Sequence, residues 1–127
     1  MTNGSGETVE SILTGEMTLP WPPSVNTYWR TFRGRMIISK AGRDYRTAVA
    51  EQVVMQAAPK FGERSIRVVI EAYRPDNRRR DLDNLLKAAL DSMSSAGVFD
   101  DDSQIVDLRI YWADMKGGML KVKLEEV

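Results

Sequence analysis

Cysteine and histidine are both absent from this 127-residue sequence, and together the two absences remove a large part of enzyme chemistry. Disulfide frameworks, zinc held by thiolate or imidazole, Ser-His-Asp triads and histidine general bases are all excluded. Whatever chemistry the chain performs falls to carboxylates, lysine, hydroxyls or a hard metal ion. Magnesium fits that inventory, because one or two carboxylates hold it while water and phosphate complete its shell. No stretch approaches the ~18 consecutive apolar residues of a membrane helix, and the first residues lack the basic-then-apolar layout of a signal peptide. The expectation is a soluble, cytoplasmic protein.

Net charge is missing too: 18 basic and 18 acidic side chains cancel, which argues against polyanion binding through bulk charge. The distribution is uneven, however. Between Tyr28 and Arg46 the bases Arg30, Arg33, Arg35, Lys40, Arg43 and Arg46 face a single acid, Asp44. From Asp81 to Asp107 the balance reverses, with Asp81, Asp83, Asp91, Asp100, Asp101, Asp102 and Asp107 opposed by Lys87 alone. A basic rim beside an acidic pocket suits a metal-dependent phosphodiesterase.

With 43% hydrophobic residues, the chain can enclose one modest core. Residues 1–16, rich in Gly, Ser, Thr and Glu at their start, read as a flexible N-terminal arm, and 17–127 as one domain. Met17 to Trp21 reads as a short strand stopped by Pro20, Pro22 and Pro23. A loop, Ser24 to Trp29, follows, then a minor extended piece at Arg35 to Ile38. Ser39 is a plausible N-cap for a helix whose stripe is Tyr45, Ala48, Val49 and Val53 and which ends before Pro59. Ile66, Val68, Ile70 and Ala72 alternate as one buried face of a strand, and a basic loop from Arg74 to Arg80 comes next. Leu82, Leu85, Leu86, Ala89, Leu90 and Met93 recur with helical period, and Gly97 supplies the stop. On that helix Asp83, Asn84, Lys87 and Asp91 share the polar side. Val106, Leu108, Ile110 and Trp112 alternate as a strand; the Lys116-Gly117-Gly118 turn then leads to a last strand with Leu120, Val122 and Leu124 inward. The order β-α-β-α-β-β predicts an α/β (α+β) fold, a single-domain mixed sheet with two helices packed on it.

The densest chemistry lies in Arg80-Asp81-Leu82-Asp83-Asn84, with Lys87 one turn later. Two carboxylates at i and i+2 converge on one ion only where the backbone is not yet regular helix, and a strand-to-helix junction offers that. A third acid would come from Asp100, Asp101 or Asp102, brought back by the return of the chain after the second helix; three acids plus phosphate oxygens complete a magnesium shell. Lys87 would offset charge on the scissile phosphate or hold the attacking water. The plainer account of the same residues is structural: Asp81 as N-cap, Asp83 paired with Lys87 along the helix, and the Asp100 to Asp102 turn merely solvated. A calcium loop is disfavoured, since that turn lacks the glycine and terminal glutamate of an EF-hand.

Taken in order, the motifs resemble the RusA family of Holliday-junction resolvases. The matching pieces are Leu19-Pro20-Trp21-Pro22-Pro23-Ser24 with Asn26, and Arg78-Arg79-Arg80-Asp81-Leu82-Asp83-Asn84-Leu85 with Lys87. Ala96-Gly97, Asp101-Asp102 with Gln104, Val106 and Asp107, and Lys116-Gly117-Gly118 follow, so that coverage runs from about Met17 to Glu126. The resemblance implies a homodimeric, Mg2+-dependent crossover junction endodeoxyribonuclease, of a kind often encoded by phages, that acts on branched DNA in recombination or repair. It makes Asp81, Asp83 and Asp102 the metal-binding acids, with Asp101 as a substitute for Asp102. It also makes Lys87 the catalytic lysine and Arg80 a DNA contact. On that basis a metal-activated water attacks a backbone phosphate in line, and a two-fold dimer makes paired symmetric nicks. Arg30, Arg33, Arg35, Arg78, Arg79 and Arg80 are the candidate phosphate contacts. Two rivals stay open: a non-catalytic DNA-binding module, and a metal-dependent nuclease without junction selectivity.

Overall fold

A computed structural model describes residues 12–127. The first part of the expected arm, residues 1–11, lies outside the described residues. The chain forms a four-stranded sheet, a separate two-stranded hairpin and a helical layer on one face of the sheet. The elements in chain order are β1 (Thr14–Pro20), α1 (Val25–Tyr28), β2 (Trp29–Phe32), β3 (Arg35–Ile38), α2 (Lys40–Met55), β4 (Ile66–Tyr73), α3 (Asp83–Ser95), a single 3-10 turn (Asp102–Gln104), β5 (Ile105–Trp112) and β6 (Met119–Glu126). The expected mixed sheet with two principal helices is present. The expected extended piece at Arg35 to Ile38 is β3; the one-turn α1 and β2, which pairs with β3 as a hairpin, are additions, and β1 begins three residues earlier than the sequence pattern placed it, so that residues 14–16 pair in the sheet.

Each principal helix forms where local chemistry dictates. The Ser39 hydroxyl accepts a hydrogen bond from the Gly42 N–H at 3.0 Å and starts α2, as a capping serine should. Tyr45, Val49 and Val53 then bury the stripe. In α3, Leu85, Ala89 and Met93 are buried. The helix ends where Val98 N–H reaches the Met93 carbonyl and Gly97 N–H reaches Ser94, with Gly97 at φ +82°, a left-handed turn that glycine adopts without strain.

Strand order is β1-β6-β4-β5. The last strand does not fold back beside β5, as a tight turn at Lys116 to Gly118 suggests; it inserts between β1 and β4, antiparallel to both, while β5 runs parallel to β4 at the sheet edge. That turn is anchored to the end of β4 instead, through Gly118 N–H to the Tyr73 carbonyl at 2.8 Å. The helix-facing side of β4 (Ile66, Val68, Ile70, Ala72) is completely buried with Leu120, Val122 and Leu124 of β6. On β5 the alternation is present but half its apolar side chains stay in water: Val106 is 59% and Leu108 41% exposed, because an edge strand lies beyond the cover of the helices.

A parallel β4–α3–β5 crossover has a geometric consequence for function. The segment entering α3 sits at the C-terminal end of β4, and the segment leaving it sits at the N-terminal end of β5, at the opposite end of the strands.

Candidate active site and nucleic-acid interface

At the C-terminal end of β4, the chain from Arg74 to Leu82 crosses to α3 and borders an open cleft of about 560 Å³. Trp21, Pro22, Ser24, Arg79, Arg80, Asp81, Asn84 and Leu85 line it. Trp21 and Arg80 of its wall belong to a ladder of guanidinium and indole groups. The Arg80 guanidinium lies 5.7 Å from the centre of the Trp21 ring, Trp21 stacks on Trp112 with centres 6.3 Å apart, and Arg74 covers Trp112 at 4.3 Å. Arg80 is also clamped by Asp76, which accepts from both terminal nitrogens at 2.6 and 3.1 Å. That pair, with a third hydrogen bond from the Arg78 N–H, lowers Asp76 from 3.8 to about 2. The single acid in the basic loop, four residues before Arg80, was the sequence signal for this clamp.

Asp81 does not cap α3. Leu82 occupies the N-cap position without a side-chain cap, and Asp81 contributes only its carbonyl, which accepts from the Asn84 N–H at 3.2 Å. Nor does Asp83 pair with Lys87; among the described residues, no ion pair involves Asp81, Asp83 or Lys87. The Lys87 ammonium instead rests 5.7 Å from the centre of the Trp29 ring, and Trp29 meets Tyr28 edge to face. The purely structural roles that these residues could have filled are therefore vacant. What remains at the irregular entry to α3 is a pair of exposed carboxylates, two residues apart, with a lysine one turn away.

The third acid is not there. Asp100, Asp101 and Asp102 lie beyond the far end of α3, a helix of 13 residues and therefore roughly 20 Å long. The bend is fastened to the start of β4, where Gln104 donates to the carbonyls of Gly62 at 2.8 Å and Arg64 at 2.6 Å, and Asp100 N–H reaches Gly62 at 3.1 Å. Accordingly, no group of three acids that could hold a metal forms among the described residues. The expectation that the return of the chain reunites these acids within one subunit is thus corrected: a crossover to a parallel strand carries the chain away from its starting point. Within the bend, Asp101 caps the 3-10 turn by accepting from the Ser103 N–H at 3.0 Å, and hydrogen bonding to Ser103 lowers its pKa. Asp102 is exposed and carries no such duty.

The expected arginines divide into two sets. Arg79 and Arg80 border the cleft and Arg78 precedes them in the same loop, while Arg30, Arg33 and Arg35 belong to the β2–β3 hairpin and its turn. Sequence reasoning missed one cluster, in which the half-buried Asp91 carboxylate accepts from Arg46 at 2.6 and 2.9 Å and from the Tyr28 hydroxyl. Arg46 had been visible only as one base in a basic segment, and Asp91 as one acid on a polar helix face.

The family described as "Endodeoxyribonuclease RusA" matches residues 20–125. This chain belongs to the RusA family. It is 44% identical over 116 residues to the crossover junction endodeoxyribonuclease RusA of Escherichia coli K12, covering 90% of this chain and 96% of that protein. The corresponding protein of Shigella sonnei is also 44% identical, and that of Enterobacteria phage 82 is 43% identical, with the same coverage. The RusA match spans the cleft, the acid pair, Lys87 and the Asp100 to Asp102 bend alike, so both ends of α3 lie inside the family domain.

Proposed function

We propose that this chain is a magnesium-dependent, structure-selective endonuclease that resolves four-way DNA junctions by paired symmetric nicks. One observation carries the reading: Asp81 and Asp83 are two exposed carboxylates at a strand-to-helix junction with no protein partner among the described residues, beside an arginine-lined cleft. Two oxygen-bearing acids of this kind, without imidazole or thiolate, match the donor set of magnesium. Bound there, magnesium would supply an acidified water and neutralise phosphoryl charge.

The remaining work belongs to the chain. Asp81 and Asp83 hold the metal-binding position, and because Leu82 occupies the N-cap position between them, neither carboxylate is spent on capping α3. Lys87, kept off Asp83 by Trp29, offers its charge to the scissile phosphate as negative charge accumulates. Arg78, Arg79 and Arg80 hold the DNA backbone along the cleft, with Arg80 fixed in direction by Asp76 and Trp21.

Asp102 enters this scheme through a homodimer. Since α3 keeps it far from Asp81 in its own subunit, a two-fold pair would bring Asp102 of the partner subunit to the Asp81 and Asp83 pair, giving two identical composite sites for two nicks. The open β5 edge, which begins three residues after the Asp102–Gln104 turn starts and exposes Val106 and Leu108, supports contact between copies near that acid. No described helix is long and apolar enough to cross a membrane, in keeping with a cytoplasmic nuclease acting on recombining or phage DNA.

The decisive experiment is cleavage of a synthetic mobile four-way junction. The expected result is magnesium-dependent nicking of opposed strands that Asp81→Asn abolishes while junction binding persists. Unchanged cutting by Asp81→Asn would remove the acid pair from the mechanism, and equal cutting of linear duplex would reduce the protein to a non-selective nuclease.

A further inference from the structure

The β2–β3 hairpin stands apart from the main sheet as its own two-stranded ribbon. Its base is firmly held: the Ser39 N–H and hydroxyl both donate to the Tyr28 carbonyl at 2.9 Å, and Trp29 and Ile38 pack against the core. Its tip is not. Arg33 and Gly34 form a two-residue turn with φ of 52° and 73°, the doubly left-handed geometry of a tight hairpin. Phe32, the last residue before that turn, is 47% exposed.

The surroundings of Phe32 separate it from an ordinary exposed apolar residue. Arg30, on the same strand face, places its guanidinium 5.4 Å from the ring centre, Arg33 places its own at 5.3 Å, and Arg35 is the direct cross-strand partner. One aromatic ring thus projects inside a collar of three positive charges that lack an ion-pair partner among the described residues. The chemistry this collar recognises is an aromatic base embedded in phosphates: a π face to stack on the ring, and flanking anions for the guanidinium groups. The hairpin also starts at Trp29, the residue that holds Lys87. Three strand residues of about 3.3 Å each put its tip roughly 10 Å from that contact, about three base steps from a phosphate held by Lys87.

We propose that the β2–β3 hairpin is the junction-sensing element, which stacks Phe32 on a base exposed at the branch point while Arg30, Arg33 and Arg35 hold the adjoining phosphates. The inference rests on the reading of branched DNA as substrate. Inserting a ring between paired bases costs unstacking, and that cost is lowest where pairing is already interrupted. A single exposed aromatic therefore discriminates by structure without reading sequence.

The test measures binding without magnesium. The probes are a four-way junction carrying 2-aminopurine at the branch point and a linear duplex of the same arm sequence. For Phe32→Ala, the expected result is junction affinity weaker by on the order of tenfold, with duplex affinity unchanged and the wild-type 2-aminopurine fluorescence change lost. Phe32→Trp restores both. Equal weakening on both DNAs, or no weakening, would overturn the proposal while leaving the nuclease reading intact. If Phe32→Ala loses self-association on sedimentation, the ring is a contact between copies and the proposal also fails. A wild-type protein that shows no preference for the junction defeats the substrate reading itself.

Discussion

The Lys87 ammonium lies 5.7 Å from the Trp29 ring and makes no ion pair with Asp83, although Asp83 is the residue four positions earlier on the same helix. An i,i+4 Asp–Lys pair is the default arrangement on an exposed helix face and stabilises by only a few tenths of a kcal/mol. Half-buried Trp29 offers the lysine a competing site, so Asp83 stays free for a cation and Lys87 stays free for a phosphate.

Trp29 is accordingly a positioning residue for both. Lys87→Met is expected to lower single-turnover junction cleavage by about 10² to 10³ at saturating enzyme, the usual loss for a group that stabilises transition-state charge. Trp29→Leu is expected to cause a smaller loss and to raise the magnesium concentration needed for half-maximal rate, because Lys87 then competes for Asp83. A Trp29→Leu rate loss with no change in magnesium dependence would leave only a packing role for the indole.

The composite site makes a prediction that a site within one chain does not. Asp81→Asn and Asp102→Asn are each expected to be inactive alone. In a mixed dimer, one site collects both substitutions and the other collects neither. Mixing the two variants should therefore restore nicking of one strand per junction without the second cut. Denaturing gels of a junction labelled on all four strands would show this directly, and the absence of any restored nicking would place Asp102 outside the shared site.

How much of this was legible in the sequence follows from which forces act locally. The α3 stripe, the β4 alternation, the Ser39 cap and the Gly97 stop are determined by a few neighbouring residues, and each appears where the pattern placed it. The acid pair and Lys87 were visible for the same reason. Strand order was not: insertion of β6 between β1 and β4 depends on pairing across some fifty to a hundred residues, and a Gly-Gly turn says only that the chain bends. The separation of Asp102 from Asp81 is a consequence of that same long-range choice. Of the hairpin, β3 was legible at Arg35 to Ile38, whereas β2 escaped because it is four residues long, with Arg30 and Thr31 interrupting any apolar alternation.

The Asp76–Arg80 clamp has a defined pH window. Hydrogen bonding to Arg80 lowers Asp76 from 3.8 to about 2, so the ionised carboxylate is favoured in the folded state. A depressed folded-state pKa contributes stability that is present above the unfolded value and lost as pH falls through the folded one. Urea titrations of wild type and Asp76→Asn should therefore differ by a constant amount above about pH 4 and converge as pH approaches 2. A difference that grows on acidification would assign the clamp the wrong sign.

Asp91 ties α3 to α2 and to the loop before the hairpin, through Arg46 and Tyr28. Asp91→Ala leaves a half-buried guanidinium and a buried phenol without their acceptor, at a cost of about 2 kcal/mol and a melting temperature lower by roughly 10 °C. Burial, reinforced by the bond to Asp91, raises Tyr28 above 10.0, so its hydroxyl stays neutral and donating at physiological pH. Its contribution persists below the unfolded value and is lost only as pH rises through the raised one. Thermal melts at pH 7 check the first part, and an equal melting temperature for Asp91→Ala would show that water replaces the carboxylate without loss.

Hairpin charge should be readable as ion release. Each arginine that neutralises a phosphate contributes roughly 0.9 to the slope of log affinity against log salt. Arg33 can be tested without damaging the turn, because asparagine tolerates its left-handed φ of 52°. Arg33→Asn is expected to reduce the slope by about one unit on a four-way junction and leave the melting temperature unchanged. Arg30→Gln with Arg33→Asn should reduce it by about two. Neither change touches Asp81, Asp83 or Lys87, so cleavage per bound junction should match wild type at saturating enzyme. A salt slope that does not move with either substitution would mean that the hairpin arginines face solvent in the complex, and that Arg78, Arg79 and Arg80 carry the backbone contacts alone.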